Sequence, residues 1–162
     1  MTADPLDDKR RTERLRRLER IFASSPIYFV TACAFDRRSI LAAPAVHHAF
    51  LRFAAQGEKC GAYIGAYVIM PDHIHLFVAL EPEERLSLWM KSLKNSVSKA
   101  LRCLSFCSPH WQKGFFDHVL RSEESYSQKW EYVRDNPVRA GLVKNWEDWP
   151  FSGEVHRLEY RE

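Results

Sequence analysis

The sequence predicts an α+β fold: a ferredoxin-like split βαβ antiparallel sheet with its helices on one face and an additional C-terminal helix, carrying a tyrosine, on the other. Three observations predict it. Patterned segments follow the order strand, helix, strand, strand, helix, strand. In the run Met70–Val78 two histidines alternate with aliphatic residues. After the last strand comes a capped helix with one apolar stripe and a separate polar one. A chain of 162 residues is most simply one domain with a sizeable core. Its predicted limits are residues 26–152, with a basic N-terminal extension over 1–25 and a C-terminal tail over 153–162.

The extension crowds Lys9, Arg10, Arg11, Arg14, Arg16, Arg17 and Arg20 among four acids, and Leu15, Leu18 and Phe22 recur at helical spacing. It reads as a solvated, helix-prone segment, with Arg14 and Arg17 as candidates for contact with a phosphate backbone. Ile27–Cys33, rich in β-formers, is the first strand, closed by the basic turn Asp36-Arg37-Arg38. Pro44 suits the first turn of a helix whose Val46, Phe50, Phe53 and Ala54 share one face up to Gly57, with His47 and His48 exposed upon it.

Tyr63–Met70 and His73–Leu80 are two β-rich runs joined by Pro71-Asp72, the pattern of an antiparallel hairpin. Ile64, Ala66, Val68 and Met70 align with Ile74, Leu76, Val78 and Leu80 to give one aliphatic face. Tyr63, Tyr67, His73, His75 and Phe77 occupy the other, where the two tyrosines either meet a ligand or pack under the later helix. Two imidazoles on one rigid surface suit a divalent metal if other groups complete its shell.

After the acidic turn Glu81–Glu84, Leu86, Trp89, Met90, Leu93, Val97 and Leu101 mark a second amphipathic helix with Lys91, Lys94, Lys99 and Arg102 on its outer face. Lys94 is a candidate nucleic-acid contact. Beyond a break at Gly114, Phe115–Leu120 is the last strand of the plan. If the aliphatic face of the hairpin turns to the two helices, His73 and His75 lie on the face those helices leave free. The helix Ser122–Asp135 supplies a cover. Ser122 is its N-cap, Glu123 and Glu124 suit its dipole, and Pro137 stops it. Tyr126, Trp130 and Val133 form a packing stripe, while Gln128, Tyr132 and Asn136 form another, roughly 100° or more around the helix. A phenol beside a metal and cations is a candidate nucleophile.

Composition narrows the setting. The formal charge is only +3, and four cysteines without a signal-like N-terminus point to a reducing cytoplasm. The uncharged stretch Cys60–Pro71 is too short to span a bilayer, so no membrane role is expected. Cys103, Cys107 and His110 lack finger spacing and a clear fourth ligand, and the two cysteines read as buried thiols near a helix end.

Two blocks together resemble a known family. Pro71-Asp72-His73-Ile74-His75 is similar to the His-hydrophobic-His motif of single-tyrosine DNA transposases. The stretch from Trp111 through Gly114-Phe115-Phe116-Asp117-His118 to Tyr132-Val133-Arg134-Asp135-Asn136-Pro137-Val138-Arg139-Ala140-Gly141-Leu142-Val143 resembles the REP-associated tyrosine transposase branch. The resemblance covers roughly Tyr28–Ser152. It implies that His73, His75 and Asn136 are metal ligands, in a place where many relatives carry glutamine instead of asparagine. It implies Tyr132 as nucleophile, Mg²⁺ or Mn²⁺ as cofactor, and single-stranded DNA with a short hairpin as substrate. The implied reaction is cleavage and rejoining through a 5'-phosphotyrosyl intermediate, by a monomer or a homodimer. Arg139, beside the implied site, is a further DNA-binding candidate. The competing readings are a non-catalytic nucleic-acid-binding module, whose exposed aromatic sheet would need no tyrosine nucleophile, and a domesticated relative that binds without strand transfer.

Overall fold

The computed structural model describes the backbone of residues 20–23 and, with side chains, residues 27–160. Arg14 and Arg17 lie outside the described residues. The strands are β1 (Arg20–Ala23), β2 (Ile27–Cys33), β3 (Ala62–Ile69), β4 (His73–Leu80), β5 (Phe116–Leu120), β6 (Ser152–Glu154) and β7 (Arg157–Tyr160). The helices are α1 (Pro44–Ala54), α2 (Leu86–Cys103), α3 (Glu123–Arg134) and the single turn α4 (Asn136–Arg139), with further short helical turns between elements. No helix among the described residues is long and apolar enough to cross a membrane.

The main sheet is antiparallel, in the order β5-β2-β4-β3-β6. Its first four strands follow the strand and helix order expected from the sequence, and β6 adds a fifth at the β3 edge. One face packs against α1 and α2: Val30, Ile74, Leu76 and Val78 join Phe50, Met90, Leu93 and Val97 in a single core. The opposite face carries a second core, in which Phe29, Phe77 and Ala79 meet Val133 and the flanks of Tyr126 and Trp130 from α3. The sheet is therefore covered on both sides, by the two early helices and by the tyrosine helix.

The hairpin β3-β4 departs from simple alternation. Ile64 pairs with Val78 but Tyr67 with Leu76, so two residues, Gly65 and Ala66, stand opposite Phe77 alone. This bulge reverses the facing of everything after it. Ala66, Val68 and Met70, expected with the aliphatic face, belong to the α3 core, and Tyr67 crosses to the α1 side. There its hydroxyl lies 2.7 Å from His47 Nε2, so His47 is half-buried and bonded instead of exposed as expected. Tyr63, before the bulge, stays with the α3 core. Gly65 is required at the bulge, because a Cβ there would lie 2.7 Å from both Leu158 Cδ1 and the Tyr126 hydroxyl.

The ends also differ from expectation. Phe22, assigned to an N-terminal helix, lies in β1, which pairs in parallel with β7 over Arg20–Ala23 and Arg157–Tyr160. Residues 153–162, read as a tail, include β7 and most of β6, and Leu158 is buried in the α3 core. Arg157 and Glu159, on either side of Leu158, hid this strand, whose inward face is only Leu158 and Tyr160. Cys103 and Cys107 are exposed instead of buried, because α2 ends where the chain leaves the core. His110 is buried with Nδ1 3.0 Å from Ser98 Oγ and Nε2 3.0 Å from the Phe106 carbonyl, committing both ring nitrogens within the protein.

Candidate active site

The alternation of β4 places His73 and His75 on the α3 face of the sheet, as predicted. Their Nε2 atoms converge to 3.1 Å, with the rings edge to face at 4.6 Å. Each outer nitrogen has a partner. Asp72 Oδ1 lies 2.7 Å from His73 Nδ1, and because a carboxylate only accepts, that nitrogen carries a proton; in the neutral ring Nε2 is then the lone-pair donor. Thr31 Oγ1, across from His75 on β2, lies 2.8 Å from His75 Nδ1. A hydroxyl both donates and accepts, so Thr31 adapts to either tautomer of His75.

Asp72 is itself held by Arg37, whose Nε donates to Asp72 Oδ2 at 2.9 Å. Burial alone would raise the Asp72 carboxyl; the His73 hydrogen bond and the neighbouring charges of His73 and Arg37 outweigh it and hold the group below its usual range. Arg37 reaches this place from a strained turn in which Asp36 and Arg37 both have φ of 52°.

His75 is pushed down to about 3, by burial first and then by the charges of His73, Lys129, Arg139 and Arg37. A neutral imidazole is the ligand form, and His75 is held in that form at ordinary pH. The same cations show what surrounds it. Lys129 comes from α3, and its Nζ sits 4.8 Å from the centre of the Phe29 ring, which in turn stacks on His75 at 5.3 Å. Lys129 and Arg37 are absent from the sequence-level candidates. The signal for Lys129 was its position one helical turn before Tyr132; Arg37 carried none, because its place depends on the strained turn.

Ser122 caps α3 as predicted, accepting from the Ser125 N–H at 3.1 Å, and Tyr126, Trp130 and Val133 face the sheet. Tyr132 lies on a different side and is 64% exposed, leaving its phenol accessible. Asn136 is not on the same helix, contrary to the single stripe expected: α3 ends at Arg134 and Asn136 opens α4 around Pro137. Arg139 ties the two together. Its Nη1 donates to the Tyr132 carbonyl at 2.8 Å, its Nη2 donates to Asn136 Oδ1 at 2.7 Å, and its guanidinium lies 4.1 Å from the centre of the Tyr132 ring. Arg139 is thus brought to the site, whereas Lys94 is not. Lys94 Nζ donates to the Gln112 carbonyl at 3.2 Å and to the Gly114 carbonyl, holding the loop before β5 instead of lying free on the outer face of α2.

Two imidazole nitrogens aimed at one point, each with an orienting partner, are a donor pair that fits a divalent ion, and the Asn136 carboxamide oxygen is held by Arg139. The surrounding positive charge fits a phosphodiester.

Residues 23–136 match the family model described as Transposase IS200 like. A Haemophilus influenzae protein classed as a REP-associated tyrosine transposase is 28% identical over 149 residues, 85% of this chain and 84% of that protein. The Escherichia coli K12 REP-associated tyrosine transposase is 32% identical over 90 residues, 55% of this chain and 52% of that one. A solved REP-associated tyrosine transposase bound to a REP hairpin aligns with a TM-score of 0.63 at 28% identity, covering 83% of this chain and 79% of that chain. The chain belongs to the IS200-like transposase family, and its resemblance within that family is to the REP-associated tyrosine transposases.

Proposed function

We propose that this chain cleaves and rejoins single-stranded DNA bearing a short hairpin, through a covalent 5'-phosphotyrosine, as in DNA transposition. The observation that carries the reading is the convergence of His73 and His75 beneath the cations that arrive with the tyrosine helix. The hairpin substrate follows from the REP hairpin bound by the solved relative. Such work belongs in the cytoplasm, where the chromosome lies.

His73 and His75, with Asn136 Oδ1, would hold Mg²⁺ or Mn²⁺. When bound, the ion supplies Lewis-acid polarisation of the scissile phosphate. Asn136 Oδ1 keeps a second lone pair beside the one that Arg139 occupies. Lys129, Arg37 and Arg139 hold the phosphate oxygens and offset the charge that builds as the phenol attacks. Tyr132 Oη forms a bond to phosphorus, and the bond to the 3'-oxygen breaks; that oxygen takes a proton and leaves as a 3'-hydroxyl. In rejoining, an incoming 3'-hydroxyl attacks the phosphotyrosine and the phenol is released, so phosphodiester energy is conserved without ATP. Arg139, whose guanidinium lies over the Tyr132 ring, packs against and orients the attacking side chain.

The test is incubation of end-labelled hairpin DNA with the protein and Mn²⁺, followed by denaturing electrophoresis. A protein–DNA adduct is expected from wild type and lost in Tyr132→Phe and His73→Ala. Retention of the adduct in Tyr132→Phe refutes the assignment, and a wild type that binds hairpins yet forms no adduct with any divalent ion favours the non-catalytic binding module.

A further inference from the structure

Strand β5 is an edge of the main sheet, paired only with β2 among the described strands. Its side chains alternate. Phe115, just before it, packs against the α1-α2 core, so Phe116 faces the other way, onto the side of the histidines, and it is 70% exposed. Scattered surface phenylalanines need no explanation. This one has a specific address. Phe116 pairs with Thr31, and Thr31 with His75, so the three stand in one cross-strand row on one face. At the usual strand spacing Phe116 and His75 are roughly 10 Å apart, backbone to backbone. One step along β5, exposed His118 pairs with Phe29, the ring that lies between His75 and Lys129. Asp117, the only acid of β5, falls on the opposite face by alternation.

A path leads from the histidines to the sheet edge, flanked by cations, without a β5 carboxylate, and ending in an uncovered aromatic face. Single-stranded nucleic acid is bound by this combination of backbone cations and ring platforms, because every base has a face to stack. We infer that Phe116 is the stacking platform for an unpaired base flanking the scissile phosphodiester, with Lys129 holding the intervening backbone. A second copy of the chain is the weaker occupant, since the cations leading to the ring would then face one another. The inference rests on the proposed cleavage reading for which nucleotide is held, and its readout is binding.

The experiment selects tight binders from hairpin DNA with randomised unpaired flanks, then places 2-aminopurine in the flank and measures affinity and fluorescence without divalent metal. Wild type is expected to quench the probe. Phe116→Ala is expected to weaken binding by about tenfold and to lose the quench, and Phe116→Trp to retain both. Because the ring is exposed, the melting temperature of each variant should match wild type, which separates stacking from folding. Equal affinity and quench in Phe116→Ala overturns the inference, as does a wild type for which no binder is selected. A change in sedimentation from dimer to monomer in Phe116→Ala with unchanged DNA affinity also overturns it, in favour of self-association. If wild type forms no covalent adduct with metal present while Phe116→Ala still loses binding, the platform stands and the cleavage reading fails.

Discussion

Thr31 and Asp72 hold the outer nitrogens of His75 and His73, so neither ring is free to turn its inner nitrogen away from the shared point. Removing such an orienting partner commonly costs 10–100-fold in metal affinity while the ligands themselves stay in place. Thr31→Val, which keeps the shape and loses the hydroxyl, is therefore expected to weaken Mn²⁺ binding by about tenfold or more in titration calorimetry; unchanged affinity would mean that packing against Phe29 alone orients His75. In the proposed reaction Lys129 acts on the phosphate instead. For Lys129→Gln the adduct-forming rate should fall by about tenfold to a hundredfold. The slope of log affinity against log salt should flatten by about 0.7 on single-stranded DNA, the contribution of one phosphate contact. A Lys129→Gln variant with wild-type rate and slope would place that cation outside the substrate path.

At the scale of elements, the bulge in β3 and the packing of α3 depend on each other. The Tyr126 hydroxyl accepts the Ala66 N–H at 3.0 Å, satisfying a backbone donor that the bulge removes from the ladder. Gly65 leaves the space that this hydroxyl and Leu158 fill. Gly65→Ala forces an overpacked contact and should lower unfolding free energy by about 1–3 kcal/mol in urea titration, a loss that a freely shifting ribbon would not show. Burial raises the Tyr126 phenol above its ordinary value, the Ala66 bond opposes this, and the charges of Glu154 and Tyr160 add to it. The stability linked to this phenol is fully present below about pH 10 and is lost as pH rises beyond, because the unfolded chain releases a proton that the folded chain keeps. Tyr126→Phe should flatten the alkaline decline in melting temperature, leaving a smaller slope from Tyr160, which burial also raises. It should also cost about 1–3 kcal/mol at neutral pH, for the N–H left unpaired. An unchanged alkaline limb would assign the decline to other groups.

Across the whole molecule, the sheet divides the protein into two cores, and the second is closed by segments far apart in sequence. Leu158 of β7, 6% exposed, lies in the same cluster as Val133 of the tyrosine helix and Phe77 of the histidine strand, and the Tyr160 hydroxyl donates to the Leu120 carbonyl at 2.8 Å. The end of the chain therefore supports the face on which the site is built. Leu158→Ala should destabilise the fold by about 2–5 kcal/mol, read from chemical denaturation. The loss should appear in the single unfolding transition; a separate early transition confined to β1 and β7 would show that the ribbon folds independently of the site.

Local periodicity determined most of the scaffold. Alternation along His73–Leu80 was enough to put both histidines on one face, the apolar spacing of α1 and α2 to cover the other, and Ser122 and Pro137 to bound the helix that bears Tyr132. Those features depend on neighbours within one or two turns, and a sequence displays such neighbours directly. The tertiary structure decided what rests on distant contacts. The bulge at Gly65-Ala66 is set by Tyr126 and Leu158, some 60 and 90 residues away, and it moved Tyr67 and Val68 to opposite faces from those their parity predicts. Arg37, Lys129 and Arg139 reach His75 from three separate segments. Asn136 left the tyrosine helix because the chain turns at Asp135, and Arg139 rejoined the two by hydrogen bonds. One residue of register reverses a strand's faces, and a long cation is placed by whatever it packs against. Neither is written in the spacing of residues along the chain.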